Sequence, residues 1–114
     1  MADRFEDGRG VIQDLLGPVD AVTRIFTKAG AVRGNHVHKL TDQWAYVVSG
    51  RLLTALGPLA PEFRMPGDLF LEAAGLPHAW KALEDTTVLV FTKGPRSGED
   101  YETDTERLEV PLLT

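Results

Sequence analysis

The sequence predicts an all-β fold, an antiparallel sandwich or barrel built from short strands. Three observations carry this. Eleven glycines and seven prolines divide the 114 residues into short pieces. The pieces between them are rich in β-branched and aromatic residues, and several alternate apolar with polar as half-buried strands do. No stretch of 12 or more residues keeps an apolar stripe at the helical period.

Taken in order, Val22 to Lys28 ("VTRIFTK") alternates and reads as a half-buried strand. Trp44 to Val48 ("WAYVV") is aromatic and β-branched and ends at the Ser49-Gly50 turn signal. "RLLTAL" follows at once, so Trp44 to Leu56 is expected to form a hairpin. Pro66-Gly67 marks a turn before "DLFLE", and Thr86 to Thr92 ("TTVLVFT") is the cleanest buried strand. Leu108 to Val110 is expected to add an edge strand. The acidic stretch Pro95 to Glu106 reads as a solvated surface loop, with a flap over a pocket mouth as the alternative. "WAYVV" is apolar on both sides of its strand, so one side needs a cover, and a homodimer is expected.

Composition bounds the function. Hydrophobic residues at 43% and charged residues at 25% describe a globular chain large enough for one core, a single domain over residues 1–114. A net charge of -5 lacks the basic footprint of a nucleic-acid or membrane-surface binder. The chain has no cysteine, which removes disulfides and thiolate metal sites and fits a reducing cytosol. The first residues carry no apolar run behind a basic start, so no signal peptide is expected, and no window is long and apolar enough for a transmembrane helix.

The chemistry concentrates in "GAVRGNHVHKLTDQWAYVVSG", Gly30 to Gly50. Two of the chain's three histidines stand here as His36-Val-His38. Residues two apart on a strand share a face, so the two imidazoles project side by side, as two ligands of one metal ion do. From Gly30 there are five residues to His36, four from His38 to Gln43, and six more to Gly50. Further on, Gly67 is followed by five residues, then Ala73-Ala74-Gly75, two residues, His78, three residues and Ala82.

These two blocks, residues 30–50 and 67–82, resemble the first and second motifs of the cupin superfamily. Every spacing matches, and all three histidines are used. The family's glutamate is Gln43 here, its motif proline is Ala73 and its asparagine is Ala82. The resemblance implies a double-stranded β-helix, or jelly-roll barrel. It also implies a divalent metal (iron, manganese, nickel, zinc or copper) held by His36, His38, Gln43 and His78. Asp42 is the other candidate for the fourth ligand, but it fits the spacing to Gly50 less well, and a one-residue slip turns it to the opposite face.

Gln43 raises its own question. Three imidazoles and an amide leave the charge of a dication uncompensated, so such a site should hold metal less tightly and attract an anionic ligand. It also lacks a carboxylate to act as general base. Trp80, two residues after His78, and Phe26 are candidate pocket residues, and Arg33 and Arg51 are candidate anion contacts. The resemblance implies a metal-dependent small-molecule enzyme, an oxygenase-type dioxygenase in the first instance. Two alternatives stand beside it: a sugar-nucleotide isomerase or epimerase, because "RGNHVHK" is similar to that group's motif, and a non-catalytic ligand-binding or sensing module.

Overall fold

The computed structural model describes residues 4–114. Two sheets face each other. The first has four antiparallel strands in the order β3 (Ala21–Thr27), β10 (Thr86–Lys93), β5 (Asp42–Ser49), β8 (Leu69–Glu72). The second has five, in the order β11 (Thr105–Arg107), β4 (Val32–His38), β9 (His78–Ala82), β6 (Leu52–Leu56), β7 (Glu62–Arg64). A separate hairpin, β1 (Arg4–Asp7) with β2 (Gly10–Gln13), stands off with all eight residues exposed. The one helix among the described residues is α1, Gly98–Glu102. This is the double-stranded β-helix expected from the motifs.

The inner faces pack an apolar core from Ala45, Val47, Leu52, Phe70, Trp80, Ala82, Val88 and Val90. The strand β10 alternates strictly, burying Thr86, Val88, Val90 and Thr92, because it lies between β3 and β5 and presents one row inward. On the outer face of the same sheet, the ladder lines up Val22, Phe91, Trp44 and Leu71 across all four strands. That row is an apolar stripe, with Val22 and Leu71 exposed.

Two expectations are corrected. The strands β5 and β6 do not pair as a hairpin; they belong to opposite sheets, and Ser49-Gly50 carries the chain from one to the other. Gly50 has φ 92°, and a Cβ there would collide with Thr86 and the Asp85 carbonyl, so the crossing is a close approach of backbone to backbone. The edge strand also lies earlier than Leu108 to Val110. It is Thr105–Arg107, because its register against His38, Val37 and His36 completes the β4 edge.

Candidate metal centre

The site lies where the inward rows change from apolar to polar. Cross-strand register sets the levels. Val90, Ala45 and Phe70 form one row across β10, β5 and β8, and Thr92, Gln43 and Glu72 form the next. On the facing sheet, Trp80 gives way to His78 two residues earlier on β9. Because side chains alternate along a strand, one two-residue step on each strand suffices to build a polar end on an apolar barrel.

His36 meets His78 through a defect in the β4 ladder. Arg33 pairs with Trp80, Gly34 with Ala79, and His36 with His78, so Asn35 is the extra residue of a β-bulge. Asn35 has φ 57°, a left-handed conformation that asparagine tolerates. Its side-chain oxygen accepts from the Leu112 and Leu113 amides at 2.8 and 3.2 Å, which pins the C-terminal segment to the bulge. Gly34 beside it is required, since a Cβ would come within 2.8 Å of the His78 carbonyl oxygen. The bulge shifts the strand's phase, so that Arg33, His36 and His38 all border one cavity.

The three imidazoles are packed together. Ring centroids lie 4.7 Å apart for His36–His38 and His36–His78, and 5.4 Å apart for His38–His78. Their donor atoms can all lie within 4.8 Å of one another, and among the described residues this is the group with metal-ligand convergence. Burial, reinforced by the other two histidines, pushes His78 down to about 3, and burial with His38 and Arg107 lowers His36 as well. At neutral pH both are neutral imidazoles with a lone pair to offer.

Two carboxylates unseen at the sequence level complete the picture. Asp104 approaches His38 Nδ1 through Oδ2 at 3.1 Å, accepts from the Thr41 hydroxyl at 2.7 Å and from the Leu40 amide at 2.6 Å. Burial alone would raise Asp104, but the Thr41 and Leu40 hydrogen bonds and the neighbouring His38 outweigh it and hold the carboxyl below its usual range. Holding Nδ1 of a histidine in this way leaves Nε2 to face the cluster. Glu72 is 5% exposed, and its Oε2 stands 3.4 Å from His78 Nε2. Burial pushes Glu72 up to about 8, so at neutral pH the contact joins a protonated acid to a neutral imidazole and is no ion pair. The expected lack of a carboxylate is therefore corrected: position 43 has none, but its cross-strand partner is one.

Gln43 lies inward on β5, beside the histidines in the same cavity, with Nε2 donating to Thr92 Oγ1 at 3.4 Å. Asp42 is turned away: it pairs with Lys93, and its carboxylate accepts from the Ala74 amide at 2.7 Å. Trp80 lines the cavity as expected; Phe26 does not, being 52% exposed on the outer face. Arg33 lines it too, its guanidinium held by Thr27 Oγ1 at 2.8 Å and the Phe26 carbonyl at 3.0 Å. Arg51 lines neither cavity at the histidines.

The histidine cavity encloses about 310 Å³, and a second of about 280 Å³ adjoins it across His38 and Gln43. Pro95, Arg96, Tyr101, Glu102 and Asp104 wall the second one. The acidic segment is solvated along most of its length, as expected of a surface loop, and it also borders this cavity, as the alternative had it. Its Asp104 is buried, and Arg96 lies 5.3 Å from the centre of the Tyr101 ring. The signal in the sequence was its lone tyrosine and arginine among acidic residues.

A cupin family model matches residues 19–100, and the chain belongs to the cupin family. Among curated protein sequences none matches this chain. Solved structures are similar in fold. The capsular polysaccharide assembling protein CapF from Staphylococcus aureus is 19% identical with a TM-score of 0.68, over 96% of this chain and 35% of its own. QdtA from Thermoanaerobacterium thermosaccharolyticum, a sugar 3,4-ketoisomerase solved with TDP, is 18% identical with a TM-score of 0.69, over 95% of this chain and 85% of its own. The RmlC epimerase of Mycobacterium tuberculosis is 20% identical with a TM-score of 0.64, over 84% of this chain and 62% of its own. The chain spans about a third of the length of CapF.

Proposed function

We propose that this cupin holds a divalent metal ion on His36, His38 and His78, with Gln43 beside them, and rearranges a small anionic substrate of the sugar-nucleotide class. The observation that carries the reading is the convergence of three imidazoles, two of them held neutral, at the polar end of an otherwise apolar barrel. A cation answers three clustered lone pairs better than water or a fourth imidazole does. When bound, such an ion polarises a substrate oxygen as a Lewis acid.

The chain's own residues supply the rest. Asp104 fixes His38 in one orientation, Arg33 and Arg96 border the two cavities as cations for a phosphate, and Tyr101 offers a ring for a base or sugar. Together the cavities match the size of a small-molecule site. The isomerase and epimerase names among the similar structures lean the same way, whereas for an oxygenase-type reaction the support is the ligand set alone. The apolar stripe of Val22, Phe91, Trp44 and Leu71 is the face on which a second copy would pack as a homodimer.

A second reading has its own observation. The 3.1 Å approach of Asp104 to His38 Nδ1 is the arrangement of a carboxylate-backed general base, which would move a proton without metal. One experiment separates the two. Protein freed of metal and then reloaded is incubated in D₂O with nucleoside-diphosphate keto-sugars, and deuterium gain at carbon is followed. Exchange that needs metal supports the first reading, metal-independent exchange supports the second, and TDP binding without exchange on any keto-sugar would leave a binding module.

A further inference from the structure

On the metal reading above, we propose that Glu72 is the site's charged ligand, the carboxylate of the motif moved from β5 to the neighbouring strand β8. Gln43 and Glu72 are direct cross-strand partners, so both side chains leave the sheet at the same level and on the same inward face. A ligand lost at one can be replaced from the other with no change of register. Glu72 borders the same cavity as the three histidines, and its Oε2 is 3.4 Å from His78 Nε2. That separation is longer than a good N–H···O bond, but it suits two donors that share one ion at about 2.0–2.2 Å each.

The other acid at the cluster is not free for this task. Asp104 uses Oδ2 on His38 and Thr41, and Oδ1 on the Leu40 amide. Asp42 faces away onto Ala74. Burying a carboxylate is costly unless something answers it, and a dication beside His78 does. With Glu72 in place, the three imidazoles and the amide no longer leave the ion's charge uncompensated.

Cobalt(II) serves as the probe, because its visible absorption reports ligand number and type as well as affinity. Glu72→Gln is expected to weaken Co²⁺ binding on the order of a hundredfold and to change the visible spectrum. The double variant Gln43→Glu/Glu72→Gln, which returns the carboxylate to β5, is expected to recover most of that loss. Should Glu72→Gln fail to fold, Glu72→Asp asks the same question: its shorter side chain withdraws the oxygen and is expected to cost roughly tenfold. Wild-type binding of Co²⁺ with no loss in the folded Glu72 variants would overturn the proposal and leave the histidine site standing. A wild-type protein that binds no Co²⁺ would take down both.

Discussion

The two ends of the barrel interior are made by the same strands and differ by two residues on each. At the closed end β5 contributes Ala45 and Val47, β8 Phe70, β9 Trp80 and Ala82, and β10 Val88 and Val90. At the open end the same strands contribute Gln43, Glu72, His78 and Thr92. The backbone does not distinguish them; the ladders run through both. The apolar rows remove surface from water and carry the fold, whereas the polar rows concentrate neutral imidazoles and a protonated acid that a folded core does not require. Stability and chemistry are therefore separable along each strand, and each of the following results would break or sharpen that division.

The largest effect belongs to the closed end. Leu52 is 1% exposed, and Leu52→Ala should lower stability by about 2–5 kcal/mol in chemical denaturation. Metal affinity of the folded fraction should stay within a few-fold. A large affinity loss would mean that the two ends are mechanically coupled.

Next come the histidines. His36→Ala, His38→Ala and His78→Ala should each abolish most metal binding and leave the cooperative unfolding transition in place. Any one of the three that keeps full stoichiometric metal is not a ligand.

Glu72 gives the third test, on metal-free protein. Its acid is pushed up to about 8 by burial, from the ordinary 4.5 of a glutamate. Between these values the folded state holds a proton that the unfolded state has lost, so stability falls as pH rises. His78, lowered from 6.5 to about 3, works in the opposite direction: its contribution is complete above 6.5 and is lost as pH falls toward 3. Above pH 6.5 the contributions of His78 and of His36, which burial also lowers, are nearly complete, and the Glu72 effect dominates. From there to pH 8 the wild type should lose about 1–2 kcal/mol relative to Glu72→Gln. Equal slopes would mean that Glu72 is ionised in the fold.

The smallest effect is expected at Asp42. Its carboxylate serves the Ala74 amide, and Asp42→Asn should leave metal affinity unchanged in a titration at fixed ionic strength. Metal loss there, with Gln43→Glu indifferent, would reverse the assignment of the inward residue on β5.

Most of this fold is legible in the sequence, because alternation and turn residues are local signals. The strands Ala21–Thr27, Leu69–Glu72 and Thr86–Lys93 fall where the pattern puts them. The pairing of "WAYVV" with "RLLTAL" was not legible: Ser49-Gly50 reads as a hairpin turn, and only the crowding of Gly50 against Thr86 and Asp85 makes it a crossing between sheets. The histidines are legible through their spacing. Glu72 and Asp104 are not, since a carboxylate's role here depends on cross-strand register and on a segment that reaches His38 from 66 residues away. Sequence motifs record neighbours along one strand and miss those on the next.

The central claim is that the polar end is a metal site, and the metal content of the protein itself tests it most directly. Untagged protein, purified without a metal-affinity column or chelator, is analysed for its elements beside a variant with His36, His38 and His78 all changed to alanine. The account predicts about one divalent transition metal ion per wild-type chain and none in the variant. A wild-type protein that carries no metal, and takes up none when manganese, iron, cobalt, nickel, copper and zinc are offered in turn, would contradict it.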